Sequence, residues 1–125
     1  MTEADFLQYV AAFNANDFDG FGKFYAEDVV FELGAMKTII GRQNILNFYS
    51  EVAAHIDEVV KPVGVLVGPS NIAMYCHTTF DTRVDWPDFE IWPTKAGDHR
   101  EVETIAWYEH NGSQFTHIRA GRFKP

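Results

Sequence analysis

Hydrophobic positions near the N-terminus recur three and four residues apart, which is the spacing of one face of an α-helix. They are Phe6, Tyr9, Val10 and Phe13. This spacing predicts a helix over residues 3–15, with the Tyr9 hydroxyl on the apolar side, where it needs a hydrogen-bond partner. Asp17 precedes the next apolar run and fits the N-cap of a second helix over residues 18–26.

A hairpin and a third helix follow along the chain. Residues 29–33 are Val-Val-Phe-Glu-Leu, a composition typical of a strand, and a turn at 34–37 leads to a second strand over 38–40. Helical spacing then returns and predicts a helix over residues 42–56. Its apolar face consists of Ile45, Phe48, Tyr49, Val52 and Ile56.

The second half of the chain changes to the alternating, valine-rich pattern of β-strands. We predict four strands, over residues 59–67, 72–86, 101–109 and 114–123. Pro62 and Gly64 inside the first of them indicate a bend or a bulge. The order of elements predicts an α+β fold in one domain over residues 1–125, with three helices packed on one face of a mostly antiparallel sheet.

Composition and charge exclude several classes of function. The chain has 125 residues and a formal net charge of −8, so its surface repels phosphate backbones and we expect no nucleic-acid partner. No apolar stretch is long enough to span a bilayer, and the acidic N-terminus lacks a signal-peptide pattern. We therefore expect a cytoplasmic protein with no membrane partner. The single cysteine, Cys76, excludes an internal disulfide.

Metal and cofactor motifs do not occur in the sequence. The five histidines, at positions 55, 77, 99, 110 and 117, show no metal-ligand spacing, and there is no glycine-rich nucleotide loop or nucleophile elbow. We expect neither a metal nor an organic cofactor. The aromatic content of 15% has two interpretations, which are large side chains filling a small core or an aromatic-lined cavity.

Three segments of the sequence resemble one known group of proteins. Residues 9–20, Tyr-Val-Ala-Ala-Phe-Asn-Ala-Asn-Asp-Phe-Asp-Gly, resemble the first helix and turn of the ketosteroid isomerases and the SnoaL-like polyketide cyclases. Residues 24–31 and 41–49 resemble the elements that follow in that family. The resemblance implies the nuclear-transport-factor-2-like fold, in which a curved sheet wraps around three helices to form a cone with a blind pocket. Members commonly form homodimers, which makes a homodimer the expectation here.

The resemblance also implies three catalytic positions, of which this sequence keeps one. Tyr9 matches the tyrosine that donates a hydrogen bond in the ketosteroid isomerases. The position of their general base holds Leu33, and that of their protonated aspartic acid holds Ala106. Isomerisation by that set of residues is therefore not expected.

Alternation along the strands predicts which side chains face the hollow of the sheet. The even-numbered residues form this inner set over 72–84, 102–110 and 116–122. For His110 the alternative is a residue of the turn at Asn111 and Gly112. Arg122 lies at the mouth, where it binds a carboxylate or enolate or else forms a surface ion pair. We expect the substrate to contact Phe13, Phe31, Leu33, Phe48, Tyr49, Met74, Cys76, Thr78, Phe80, Thr104, Ala106, Ile118, Ala120 and Arg122.

The candidate catalytic residues are two tyrosines and a base that the sequence does not identify. Tyr9 and Tyr108 either donate hydrogen bonds to a ketone or enolate oxygen or bond only to backbone and water. The candidates for the base are His77, Glu32 and Asp85. Alternation directs all three to the outer face of the sheet, where the alternative interpretation is a solvated surface residue.

Three functions are compatible with these residues. The first is a cofactor-free enzyme that cyclises or isomerises a hydrophobic, oxygenated small molecule, polyketide- or steroid-like, through an enol or enolate. The second is a non-catalytic small-molecule-binding or dimerisation domain, because two of the family's catalytic groups are missing. The third is a dehydratase or epoxide hydrolase, which requires His77 or Asp85 inside the cavity.

Two further groups of apolar residues lie in the loop before the strand over residues 101–109 and on the outer face of the sheet. The loop over residues 87–100 either covers the cavity or packs elsewhere, and its large apolar side chains are Phe89, Ile91 and Trp92. The outer face of the sheet is predicted to carry Tyr75, Ile105 and Trp107. Apolar area of that kind favours pairing with a second copy of the chain.

Overall fold

The computed structural model describes residues 1–124, in which there are three helices: α1 (Glu3–Asn14), α2 (Phe18–Gly22) and α3 (Arg42–His55). A capping box starts α1, since Thr2 Oγ1 accepts a hydrogen bond from the Asp5 backbone and Thr2 N donates to the Asp5 carboxylate. The Asp17 side chain accepts a hydrogen bond from Gly20 N at 3.0 Å, so Asp17 caps α2 as predicted.

The strands of residues 1–124 form one sheet: β1 (Tyr25–Leu33), β2 (Lys37–Ile40), β3 (Ile56–Val67), β4 (Asn71–Thr82), β5 (His99–His110) and β6 (Phe115–Lys124). Their order across the sheet is β2-β1-β6-β5-β4-β3. β1 and β6 are parallel, and the other neighbouring pairs are antiparallel. The register of β3 shifts between Pro62 and Gly64, which confirms the predicted bulge. The predicted α+β class, with three helices on a mostly antiparallel sheet, is confirmed.

The second predicted helix is wrong beyond Gly22. Tyr25 fits the helical spacing, but it begins β1 and is only 1% exposed. Phe115 N donates a 2.6 Å hydrogen bond to Phe24 O, and Tyr25 pairs with Phe115. Pairing with β6 therefore replaces the helical turn, because it satisfies the backbone and buries the tyrosine at the same time.

Two strand boundaries near the end of α3 also differ from the prediction. β3 begins at Ile56 rather than at residue 59, and no turn separates it from the helix. β4 ends at Thr82, because the next two backbone N–H groups donate to the His55 carbonyl and direct the chain away from the sheet. Val84 and Asp85 consequently lie outside the strand that was predicted to contain them.

An aromatic cluster fills the space between α1 and the inner face of the sheet. Ring centroids lie 5.0 Å apart for Phe6 and Tyr108, 4.9 Å for Tyr9 and Phe115, and 4.8 Å for Tyr108 and Phe115. The rings meet edge-on or tilted, an arrangement worth about 0.5–1.5 kcal/mol per pair beyond the burial of area. The cluster fixes α1, and with it Tyr9, against β5 and β6.

Asn14, at the end of α1, joins that helix to the edge strand β3. Its Nδ2 donates to Val60 O and its Oδ1 accepts from Val60 N, both at 2.8 Å. Because β3 lies at the edge of the sheet, its outward backbone groups need partners other than a strand. The Asn14 amide supplies them and so sets the distance between α1 and β3.

Replacing Asn14 by alanine should lower the free energy of unfolding by about 1–3 kcal/mol, since two part-buried backbone groups lose their partner. Urea unfolding followed by tryptophan fluorescence measures the change. The control is Gln43→Ala, which removes an exposed hydrogen bond to Asn47 on α3 and should cost less than about 0.5 kcal/mol. Equal losses in the two variants would contradict a special role for Asn14.

Candidate functional site

The hollow of the sheet, together with α1 and α3, encloses a cavity of about 160 Å³. Its size is close to that of engineered cavities of about 150 Å³ that hold benzene. All fourteen side chains expected to contact the substrate line it, from Phe13 on α1 to Arg122 on β6. Strand alternation explains this placement: Met74, Cys76 and Thr78 of β4 are buried, as the predicted inner set requires. Their role in binding stays a prediction.

The cavity wall contains a carboxyl group that the sequence analysis misses. Glu58 lies on β3 between Ile56 and Val60, and all three side chains line the cavity. Burial among apolar side chains raises the pKa of Glu58 to about 8. Among residues 1–124, no group forms a hydrogen bond or an ion pair with this carboxyl group that would offset the burial. The Glu58 carboxyl is therefore mainly neutral at pH 7, and it gains or loses a proton readily near that pH.

The junction between α3 and β3 explains why the sequence did not reveal this residue. Helical spacing continues to Ile56, and the run of valines that signals a strand begins only at Val59. The available signal was the two-residue spacing of Ile56, Glu58 and Val60. That spacing indicates one face of a strand only if the strand begins at Ile56.

Tyrosine side chains line the same space as Glu58. Tyr9, Tyr49 and Tyr108 line the cavity, and the Tyr9 hydroxyl lies 2.8 Å from that of Tyr25. Burial, followed by the neighbouring phenols and the Glu58 carboxyl, raises the pKa of Tyr9 and of Tyr108 well above its usual value. Both phenols stay protonated near neutral pH and can donate hydrogen bonds to an oxygen atom of a ligand.

The three sequence candidates for the base all lie outside the cavity. His77 Nε2 is 2.8 Å from a glutamate of β5 on the outer face of the sheet. The Glu32 carboxylate pairs with a histidine and an arginine of β6. Asp85 accepts a hydrogen bond from Ala96 N in the loop after β4. Alternation turns His77 and Glu32 outward, and the early end of β4 removes Asp85 from the sheet, so the cavity base must be sought elsewhere.

The remaining polar groups are Thr78, Thr104 and Cys76 inside the cavity and His110 outside it. The Thr78 hydroxyl lies 3.8 Å from Cys76 Sγ, and burial raises the pKa of the Cys76 thiol, which keeps it protonated. His110 was expected to face the cavity but does not line it. The register of β5 and β6 shifts at His110, and its Nδ1 accepts a hydrogen bond from Gly112 N.

The loop between β4 and β5 covers one end of the cavity, which decides between the two alternatives for this segment. Phe89, Ile91 and Trp92 line the cavity wall. Phe89 stacks on Trp86 with ring centroids 4.0 Å apart, and Trp86 stacks on His55 at the end of α3 at 4.3 Å. This stack attaches the loop to the helix layer.

The outer face of the sheet exposes apolar side chains at the predicted positions. Ile105 and Trp107 on β5 are 52% and 41% exposed. Tyr75 on β4 packs against Phe123 on β6, with ring centroids 5.7 Å apart. The homodimer predicted from these residues stays a prediction.

Residues 1–124 contain neither a metal-binding cluster nor a membrane-spanning helix. Histidine, cysteine and acidic side chains nowhere converge there in a group of three that could hold a metal ion. The helices of this part of the chain are all too short or too polar to cross a bilayer.

Known proteins share this architecture. Residues 6–118 match the family described as the SnoaL-like domain. One of these known proteins is a proposed polyketide cyclase from Xanthomonas campestris, known from a crystal structure. The two chains align over 94% of this chain and 87% of the cyclase, with a TM-score of 0.82 and 19% identity. An LEH-like epoxide hydrolase of M. tuberculosis aligns over 95% of this chain and 80% of the hydrolase, with a TM-score of 0.78 and 12% identity. These structures share the nuclear-transport-factor-2-like fold, as the sequence resemblance implied.

One curated relative is similar over part of the chain. The orange carotenoid-binding protein of Limnospira maxima is 39% identical over 51 residues. That segment is 41% of this chain and 16% of the relative, so the match spans less than a fifth of the carotenoid-binding protein's length.

Replacing Glu58 by glutamine should change how stability depends on pH. The carboxyl pKa is about 8 in the folded protein and about 4.5 in its ordinary state. Between these values the folded state holds a proton that the unfolded state has lost. The free energy of unfolding therefore falls as pH rises through this window, by up to ~1.4 kcal/mol per pH unit. The glutamine variant lacks this loss, so its stability relative to the wild type should rise across the window.

Urea unfolding at several pH values within that window provides the measurement. Glu51→Gln on the exposed surface of α3 is the matched control and should retain the wild-type decline, because Glu58 is intact in it. Parallel stability curves for the wild type and Glu58→Gln would contradict the buried, neutral carboxyl.

Proposed function

This chain belongs to the SnoaL-like domain family, and from that premise we propose that it is a cofactor-free enzyme acting on a hydrophobic, oxygenated small molecule. The reaction is a cyclisation or an isomerisation through an enol or enolate. The observation that carries the proposal is the Glu58 carboxyl group, which shares an apolar cavity with the hydroxyl groups of Tyr9 and Tyr108. A base and two hydrogen-bond donors around one apolar space are the groups that enolisation needs.

In the proposed reaction, the ionised Glu58 carboxylate removes a proton from the carbon next to a ketone. The C–H electron pair forms the new C=C bond, and the C=O π pair moves to the oxygen, where hydrogen bonds from Tyr9 and Tyr108 stabilise the negative charge. For isomerisation of a β,γ-unsaturated ketone, Glu58 returns the proton to the γ-carbon of the dienolate, the C=O bond re-forms, and the C=C bond moves into conjugation with it. For cyclisation, the enolate carbon attacks a second carbonyl of the substrate, and the new alkoxide takes the proton from Glu58.

The pKa of Glu58 suits this role. A general base works best when its pKa lies near the working pH, because it is then both available in ionised form and strong enough to take the proton. With a pKa of about 8, a minor fraction of Glu58 is ionised at pH 7. The groups facing it, Tyr9, Tyr49, Tyr108 and the Cys76 thiol, stay neutral there, so the rate should rise with pH until Glu58 is ionised and then level off.

Enolisation is measured by the exchange of α-protons for deuterium in D₂O, followed by NMR. A suitable probe is 2-tetralone, a small bicyclic ketone. The wild type should accelerate the exchange over buffer, and Glu58→Gln should reduce the acceleration by at least about 100-fold, the usual contribution of a positioned base. Tyr9→Phe should reduce it by about 100-fold, because one donor to the oxyanion is lost.

The matched control for Tyr9→Phe is Tyr25→Phe. It removes the same 2.8 Å hydrogen bond from the other side, but it leaves the Tyr9 hydroxyl in the cavity, and Tyr25 does not line the cavity. Its exchange rate should stay close to that of the wild type. If Glu58→Gln exchanges the α-protons at the wild-type rate, the proposed mechanism is wrong.

A non-catalytic binding domain is the second candidate function. It is favoured by the partial similarity to the orange carotenoid-binding protein, whose name denotes a binding function. In this case the neutral Glu58 carboxyl and the two phenols would only donate hydrogen bonds to a ligand carbonyl. Saturable binding of 2-tetralone without any acceleration of exchange would favour this candidate over the enzyme.

The dehydratase or epoxide hydrolase is not proposed further. It depended on His77 or Asp85 inside the cavity, and neither side chain lines it. The epoxide hydrolase of M. tuberculosis supports the shared fold at 12% identity and nothing about the reaction of this chain.

We also propose that the protein is a cytoplasmic homodimer that pairs through the outer face of the sheet. Exposed Ile105 and Trp107 beside Tyr75 provide an apolar patch for a second copy. Light scattering at tens of micromolar should give twice the chain mass of 14.3 kDa, and Trp107→Glu should shift the protein toward the monomer. A wild-type monomer under these conditions would refute the dimer.

A further inference from the structure

Two arginine side chains meet at one aromatic ring on the rim of the cavity. The Cζ atom of Arg100 lies 4.3 Å from the centroid of the Trp92 ring, and that of Arg122 lies 5.3 Å from it. Trp92 and Arg122 both line the cavity. Arg100 pairs with Phe80, which also lines the cavity, so strand alternation puts Arg100 on the inner face of β5.

Among residues 1–124, no carboxylate oxygen lies within 4.0 Å of a side-chain nitrogen of Arg100 or Arg122. Arg122 donates instead to Met36 Sδ at 3.5 Å, and a thioether is a weak acceptor. Glu90, on the same loop as Trp92, pairs with Lys37.

From this arrangement we infer that the small molecule carries a carboxylate, and that Arg122 and Arg100 bind it at the rim of the cavity. The inference rests on the proposed function of the cavity and adds the chemical class of its substrate. A cation–π contact with Trp92 uses the charge of a guanidinium rather than its N–H groups, which can therefore form a bidentate bond to a carboxylate. Both arginines are exposed at the rim, so the bond forms in contact with water and is strongest at low salt.

The size of the cavity gives the orientation of the substrate. A volume of about 160 Å³ holds roughly one ring, so a longer molecule must extend to the rim. The ketone then lies inside, with Glu58, Tyr9 and Tyr108, and the carboxylate lies outside at the arginines. A neutral Glu58 carboxyl does not repel the incoming anion, which fits its pKa of about 8.

The test compares a carboxylate with its neutral amide of the same shape. The probes are 3-phenylpropionate and 3-phenylpropionamide, and their affinities for the wild type are measured by calorimetry at low salt. The wild type should bind the acid about threefold to tenfold more tightly than the amide, as expected for charged hydrogen bonds at an exposed site. Arg122→Gln should bring this ratio close to one, and Arg100→Gln should reduce it.

Two further variants separate recognition of the anion from a change in folding. Arg119→Gln removes an arginine that pairs with Glu32 and Glu109 away from the cavity, and it should keep the wild-type ratio. Arg122→Lys keeps the charge but loses the planar fork, and it should give an intermediate ratio. Unfolding temperatures of the free proteins identify any variant that fails to fold.

The inference is overturned if the wild type binds the acid no more tightly than the amide, if it binds neither probe, or if Arg122→Gln retains the wild-type ratio. These outcomes are distinct from failure of the proposed function. The neutral 2-tetralone reports on Glu58 without any carboxylate. Suppose that deuterium exchange depends on Glu58 but the protein binds the acid no more tightly than the amide. This result would refute the carboxylate-binding site and would still support the proposed enzyme.

Discussion

A carboxyl group that is buried without a partner either gives up its charge or destabilises the fold that buries it. Glu58 is half-buried on the inner face of β3, between two aliphatic side chains, and no group among residues 1–124 pairs with it. An amide or an aliphatic residue at the same position would give a more stable protein near neutral pH. A residue that costs stability and forms no internal bond is typical of a functional site, where stability is sacrificed for reactivity.

The surrounding structure keeps this carboxyl group at a fixed distance from the hydrogen-bond donors. Tyr9 and Glu58 lie on different elements, and their separation depends on how α1 packs against β3. The Asn14 amide joins these two elements directly at Val60, two residues beyond Glu58. The aromatic cluster holds the other end of α1 on β5 and β6. Preorganisation of this kind is what lets hydrogen-bond donors stabilise a developing charge without rearranging.

The sequence predicted the regular parts of the molecule well, because alternation and helical spacing depend on local geometry. It identified the cavity-lining residues of β4, β5 and β6 from alternation alone. The predicted boundaries are wrong at Tyr25 and at Ile56, where one element passes into the next without a turn residue. At both positions, pairing with a distant strand determines the backbone conformation. The acid at residue 58 falls in one of these junctions. The three candidate bases from the sequence occupy outward positions of the predicted strands, and such positions are polar because they face water.

The parallel pairing of β1 with β6 has a consequence for the order of folding. Glu32 and His117 meet across this pair although they are 85 positions apart in the chain. Contacts between such distant residues require the closure of a large loop, so they form late and make folding slow. β3, β4, β5 and β6 are joined in order as antiparallel neighbours, and they can assemble before β1 arrives. We expect the hairpin of β1 and β2 to complete the sheet after these strands, so that the wall of the cavity closes late in folding.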